Sequence, residues 1–195
     1  MIGIERRIAA GHAELLTVRG ARPRIEGYAA VFNQLSEDFG GWRERILPGA
    51  FDAVLATKPD VRALFNHDSN VILGRTTAGT LELRSDKQGL RYSIDPPESR
   101  ADVVEAIERG DVTGSSFAFT IGKGGDEWRT SLGGIVREIR SVCGLFDVGP
   151  VVYPAYPDTA VAKRSFEAIA AELLPGLAID EAWRRIRILE IGAAI

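Results

Sequence analysis

Two histidines, one cysteine and a scatter of serines and carboxylates limit the chemistry open to this 195-residue chain. His67 stands in VRALFNHDSN, between Asn66 and Asp68, and His12 lies near the start of the chain, in a peripheral segment. No HxH, HExxH or CxxC pairing occurs, which disfavours a histidine- or thiolate-based metal site. A metal on His67 and Asp68 would need acidic partners from elsewhere. No GxxxxGK[ST] loop is present, and GKGGDEW lacks the apolar helix that follows a phosphate loop. The GxSxG elbow is absent too. What remains is a serine nucleophile with a histidine base, which requires hydrogen-bond reach between the two and a third group to orient the ring. His67 is the better base of the pair, although a lone histidine at a strand end is also a common structural residue.

Ser116 is the candidate nucleophile. In GSSFAFTI, strict alternation sends Phe117, Phe119 and Ile121 to the core and Ser116, Ala118 and Thr120 to the opposite face, lined by small groups. Ser115 shares the parity of the phenylalanines and is the weaker candidate. A strand serine on a solvated face fits the same pattern. No histidine follows Ser116, so the third member of a triad is acidic or missing. Asp68 is adjacent to His67 and in an extended segment points the other way, which reads as a turn residue. Asp147 interrupts the apolar run GLFDVGPVVYP. A carboxylate there is costly unless paired, and a histidine is a suitable partner. An exposed edge-strand position is the alternative. The expected catalytic set is Ser116, His67 and Asp147, with no cofactor and no metal.

These residues must be positioned by short strands. AELLTVR (13–19), IEGYAAVF (25–32), VRALF, VILGRT, TLELRS, LRYSID, TGSSFAFTI, GIVREIRSV and GLFDVGPVVYP all read as strands. Residues 33–42 read as a loop, and DKQG as a hairpin turn whose glycine supplies positive φ. ILPGAFDAVLAT predicts a helix beginning after Gly49. SRADVVEAIERG predicts a second helix, capped by Ser99 and closed by Gly110. Residues 122–134 read as a Gly-rich loop. Such an order predicts an α+β, mostly β domain, a small barrel rather than a doubly wound sheet. Two further helical stretches, 163–174 and 178–191, form a C-terminal appendage. The domain assignment is therefore 1–162 for the core and 163–195 for the appendage, which serves for packing, oligomer contact or as a scaffold-like segment.

Net charge is −3, with 26% charged and 45% hydrophobic residues. This balance gives no electrostatic reason to expect nucleic-acid binding. No uncharged apolar run reaches the ~18 residues of a membrane span, and the N-terminus has charges where a signal peptide needs an apolar core. A single cysteine, Cys143, rules out an internal disulfide and reads as a buried small hydrophobe.

Six stretches in order carry a resemblance: IEGYAAVFN, ERILPGAF, VRALFNHD with LGRT, TLELRSDKQGLRYSID, DVVEAIERGDVTGSSFAF and FDVGPVVYPAYPDT. Over about residues 5–160 the chain resembles the HK97-type bacteriophage prohead (procapsid maturation) serine proteases, a family similar to the herpesvirus capsid-assembly proteases. The resemblance implies a herpesvirus-protease-like small β-barrel surrounded by helices. It places the base on His67, the nucleophile on Ser116 and the acid on Asp147. The family's EVS-like motif reads DVG here, and its common glycine after the nucleophile's phenylalanine is Ala118. It further implies a serine endopeptidase that cuts scaffold segments of the major capsid protein, and itself, inside the immature procapsid in the host cytoplasm. A homo-oligomer is expected, with neither nucleic acid nor membrane as partner. The Gly-rich loop 122–134 is the expected source of oxyanion donors. A protease-fold protein that is catalytically weak or inactive, acting in capsid assembly or scaffolding, is the alternative, motivated by the Ala118 and Asp147 departures.

Overall fold

A computed structural model describes residues 3–8, 16–19, 23–39, 41–131 and 134–153. His12 and the helical appendage 163–195 lie outside the described residues. The described elements, in chain order, are β1 (Glu5–Ile8), β2 (Leu16–Arg19), β3 (Arg24–Val31), β4 (Trp42–Ile46), α1 (Asp52–Ala56), β5 (Arg62–Leu64), β6 (Ile72–Arg75), β7 (Leu81–Ser85), β8 (Gly89–Ile94), α2 (Ala101–Glu108), β9 (Gly114–Thr120), β10 (Asp126–Ser131), β11 (Gly134–Ile139) and β12 (Gly144–Val151). The protein is mostly β with few helices, as the strand-rich sequence predicts. Pairings give three sheets, ordered β1-β9-β12-β5-β6, β10-β11-β4 and β2-β3-β8-β7. Among the described residues none closes on itself, and a single Phe32–Ile46 bridge joins the last two.

The core lies behind β9. Phe117 and Phe119 are fully buried and stack at 4.7 Å between ring centroids. Phe51, at the start of α1, meets Phe117 edge-on at 5.7 Å and also stacks on Phe32. The GAF segment thus explains itself: Gly49 takes φ +85° to turn the chain, Ala50 is buried, and Phe51 presses onto Phe117 of β9. A rigid strand results, held on one face by aromatic packing worth about 3–5 kcal/mol per ring on truncation.

Several local expectations are corrected. DEWRTS (126–131), expected as loop, is a strand, and so is WRERI (42–46), of which only Trp42 was expected as loop. Their alternation is hidden because charged residues occupy inward positions as well as outward ones. Gly89 does not supply positive φ to the DKQG turn. Asp86 makes that turn by accepting from the N–H groups of Gln88 and Gly89. A Cβ on Gly89 would stand 1.9 Å from the Ala30 carbonyl, so close strand approach is what requires glycine. Ser99 does not cap α2, because a 3-10 turn over Glu98–Arg100 precedes the helix. Gly110, at φ +79°, does close it. Cys143 is exposed rather than buried, although its thiol lies 3.4 Å from Thr120 Oγ1.

Candidate active site

β5 runs parallel to β12, with Arg62 beside Asp147 and Ala63 beside Val148. It delivers the chain into the turn Phe65-Asn66-His67-Asp68. Asn66 and His67 both adopt left-handed backbone, at φ +53° and +57°. For non-glycine residues this costs on the order of 1 kcal/mol each and persists only where surroundings enforce it. The enforcement is visible. Asn66 N–H donates to the Pro150 carbonyl at 3.1 Å, and Val152 N–H donates to Asn66 Oδ1 at 2.9 Å. Asp68 N–H donates to the Phe65 carbonyl, and Asp68 Oδ1 accepts from Asn70 N–H at 2.8 Å. Asp68 is thus a turn residue, and the turn aims the His67 ring at β9.

There the ring lies between two partners. His67 Nδ1 is 2.5 Å from Asp147 Oδ1, and His67 Nε2 is 2.6 Å from Ser116 Oγ. With the imidazole proton on Nδ1 facing the carboxylate, Nε2 is left as an acceptor toward the hydroxyl. The three residues named from the sequence therefore form one hydrogen-bonded line. The histidine and aspartate side chains keep 11% exposure each, while Ser116 has none. Ser116 Oγ also donates to the Arg7 carbonyl of β1 at 2.8 Å. Ser115 plays a different part: its hydroxyl pairs with Tyr92 at 2.7 Å in the core, and burial pushes the Tyr92 phenol well above its ordinary pKa.

Asp147 reaches this line through a β-bulge. In the β9–β12 pair, Leu145 opposes Phe119 but Asp147 opposes Ala118, with Phe146 left over and 39% exposed. Simple alternation would put Asp147 on the same face as Leu145. The extra residue rotates it onto the Ser116 face, one common use of a bulge beside a site. Two residues on, Gly149 opposes Ser116. A Cβ there would stand 2.1 Å from the Leu64 carbonyl, so no side chain fits where β12 crosses the end of β5. The DVG triplet is explained by that crossing: glycine allows the approach that brings His67 to its partners.

Residues 126–131 of the expected Gly-rich loop form β10. Ser116 is four residues before Thr120, about 13 Å along a strand, and residues 122–125 follow beyond that end. Gly125 N–H is already given to the Gly122 carbonyl.

A second polar cluster, not anticipated from the sequence, lies across β1. Arg7 Nε donates to Glu44 Oε1 at 2.8 Å, and Arg7 Nη2 to Glu5 Oε2 at 2.6 Å. Arg137 holds Glu5 through both terminal nitrogens, at 2.6 and 3.0 Å. It also reaches Glu44 at 3.1 Å and Asp126 at 2.6 Å. All but Asp126 are buried. Burial pushes the Glu5 carboxyl up, but Arg137 and Arg7 outweigh it and hold the pKa below the ordinary range. Burial likewise opposes the charge of Arg137, and its carboxylate partners more than compensate, raising it. The usable sequence signal was a charge at core parity: Glu44 shares parity with Trp42 and Ile46, and Arg137 with Ile135 and Ile139.

A family model described as caudovirus prohead serine protease matches residues 13–172. The chain belongs to that family. All three members of the hydrogen-bonded line fall within the matched stretch of this prohead protease relative, and β1 precedes it. No curated protein and no solved structure matches the chain. Among the described residues no helix is long and apolar enough to cross a membrane.

Proposed function

We propose that the chain is a serine endopeptidase of procapsid maturation, with Ser116 as nucleophile, His67 as general base and acid, and Asp147 as the group that orients and stabilises His67. The observation that carries this reading is the unbroken line Asp147–His67–Ser116. Ser116 Oγ attacks a peptide carbonyl carbon as its proton passes to His67 Nε2. The C–N bond breaks, the proton moves on to the departing amine, and water then releases the acyl group by the reverse proton path. Asp147, bound to Nδ1, fixes the ring's tautomer and balances its charge while it holds both protons. Capsid scaffold segments and the chain itself are the proposed substrates, inside the immature procapsid, with a homo-oligomer as the working form. Family membership supports this setting. The likeness to herpesvirus capsid-assembly proteases is proposed with it, supported by the mostly β fold and the bridge that joins two of the sheets.

The test is cleavage of a cognate capsid protein that carries its scaffold segment. Wild type is expected to trim it, and Ser116→Ala and His67→Ala are expected to stop trimming. Undiminished cleavage by both variants sinks the assignment. A folded wild type that never cleaves favours an assembly role for an inactive protease fold.

A further inference from the structure

A fully buried nucleophile cannot meet a polypeptide substrate unless something moves. Beside Ser116 runs β1, the edge strand of its sheet, paired antiparallel to β9 with Ile8 opposite Ser116 and Arg7 opposite Phe117. The Arg7 carbonyl oxygen takes the Ser116 hydroxyl as donor. One hydroxyl proton therefore faces two acceptors, that carbonyl and His67 Nε2. Donation to the carbonyl takes the proton off the path to the base. The contact is to the carbonyl oxygen, so the bond is not presented for attack. Backbone pairing to a sheet edge is also how extended peptides bind many proteins, with side-chain pockets supplying selectivity.

The side chains of β1 have such pockets. Glu5 and Arg7, two residues apart, share the face toward β4 and β11, where Arg137 and Glu44 bind them. The receptor pair also has contacts apart from β1: Arg137 donates to Glu44 at 3.1 Å and to Asp126 at 2.6 Å. Departure of β1 takes Glu5 and Arg7 out of the cluster together, one negative and one positive charge. β1 also lies outside the stretch matched by the family model.

We propose, resting on the peptidase reading above, that β1 sits in the substrate's place as a displaceable pseudosubstrate, and that Glu44 and Arg137 select the peptide that replaces it. That peptide carries a basic residue at the Arg7 position and an acidic residue two places before it. Cleavage falls after the basic residue: Ser116 Oγ bonds to its carbonyl carbon, the following C–N bond breaks, and the amine leaves with the proton relayed by His67. Latency follows from the same geometry, because the chain holds its own strand beside the nucleophile until a substrate strand displaces it.

The test is the rate at which a small fluorophosphonate labels Ser116, read by mass spectrometry. The Glu5→Ala/Arg7→Ala double variant is expected to label at least ~10-fold faster than the unaltered chain. Added peptide GIERRI (residues 3–8) is expected to slow the variant again, and the charge-exchanged GIRREI is not. Equal rates in the folded variant and wild type overturn the proposal, as does equal protection by both peptides. No adduct in either chain overturns the peptidase reading itself. A second measurement needs no variant: hydrogen exchange of the β1 amides in wild type, before and after reaction with a phosphonate peptide ending Glu-Arg-Arg. Faster exchange of β1 in the adduct supports displacement, and unchanged protection of β1 contradicts it.

Discussion

Two buried polar clusters border the same short strand, and they are built on opposite principles. The Glu5–Arg7–Glu44–Arg137 cluster surrounds each charge with opposite charges, and its guanidinium–carboxylate contacts are multiple. The His67–Ser116–Asp147 line has one contact per step, hangs from a turn with two left-handed residues, and gives its hydroxyl proton a choice of acceptors. Burial is common to both and so identifies neither as a reaction centre. A connected proton path held in a costly geometry is what distinguishes the second. Under the proposed function the difference separates binding from reactivity: one cluster holds and recognises a strand, and the other acts on it.

Substitution separates the two most sharply in rate. His67→Ala and Ser116→Ala should each lower peptide cleavage by about 10⁴–10⁶-fold, as loss of a triad member does elsewhere. Both should move the thermal midpoint far less than they move the rate. Asp147→Asn should cost on the order of 10⁴-fold through the wrong tautomer. On the other side, Arg137→Met should act on folding. Leaving two buried carboxylates, Glu5 and Glu44, to the single guanidinium of Arg7 should destabilise by about 3–5 kcal/mol in urea titration. A stability loss of that size from His67→Ala, with little loss from Arg137→Met, would break the contrast.

Much of this was legible beforehand, for reasons that differ by residue. Ser116 could be chosen over Ser115 because strand parity is a strict geometric rule, and the aromatic face marks the core. His67 stood out by scarcity. Asp147 stood out as a carboxylate in an apolar run, but its route to the site could not be read. That route depends on the Phe146 bulge, which inverts the parity sequence alternation assigns. β4 and β10 were hidden because the charges of WRERI and DEWRTS occupy inward positions that a hydrophobic pattern treats as exposed. Those charges are stable inside only because strands distant in sequence bring their partners. Glycine was ambiguous in the same way: Gly89 and Gly149 serve close approach to backbone carbonyls, which only the tertiary structure reveals.

Smaller effects refine the comparison. Gly149→Ala should cost about 1–3 kcal/mol, because the added methyl meets the Leu64 carbonyl. It should also lower cleavage beyond its effect on folding, since the displaced segment carries His67. An activity loss fully explained by the unfolded fraction would detach Gly149 from the site. The least effect is on pH dependence. Glu5 has a folded pKa below its ordinary 4.5, so its stabilisation is complete above about that pH and is lost as pH falls through the lowered value. Thermal midpoints followed downward from neutral pH should therefore fall more steeply for wild type than for Glu5→Gln. A gap between the two that does not change with pH would contradict the ionic account of the cluster.

The central claim is that Asp147 and His67 activate Ser116. Prolonged incubation of the full chain with a fluorophosphonate, followed by peptide mapping, tests it most directly. One adduct is predicted, on Ser116, forming at least ~1000-fold more slowly in folded His67→Ala. An adduct on another serine, or an equal rate without the histidine, would contradict it.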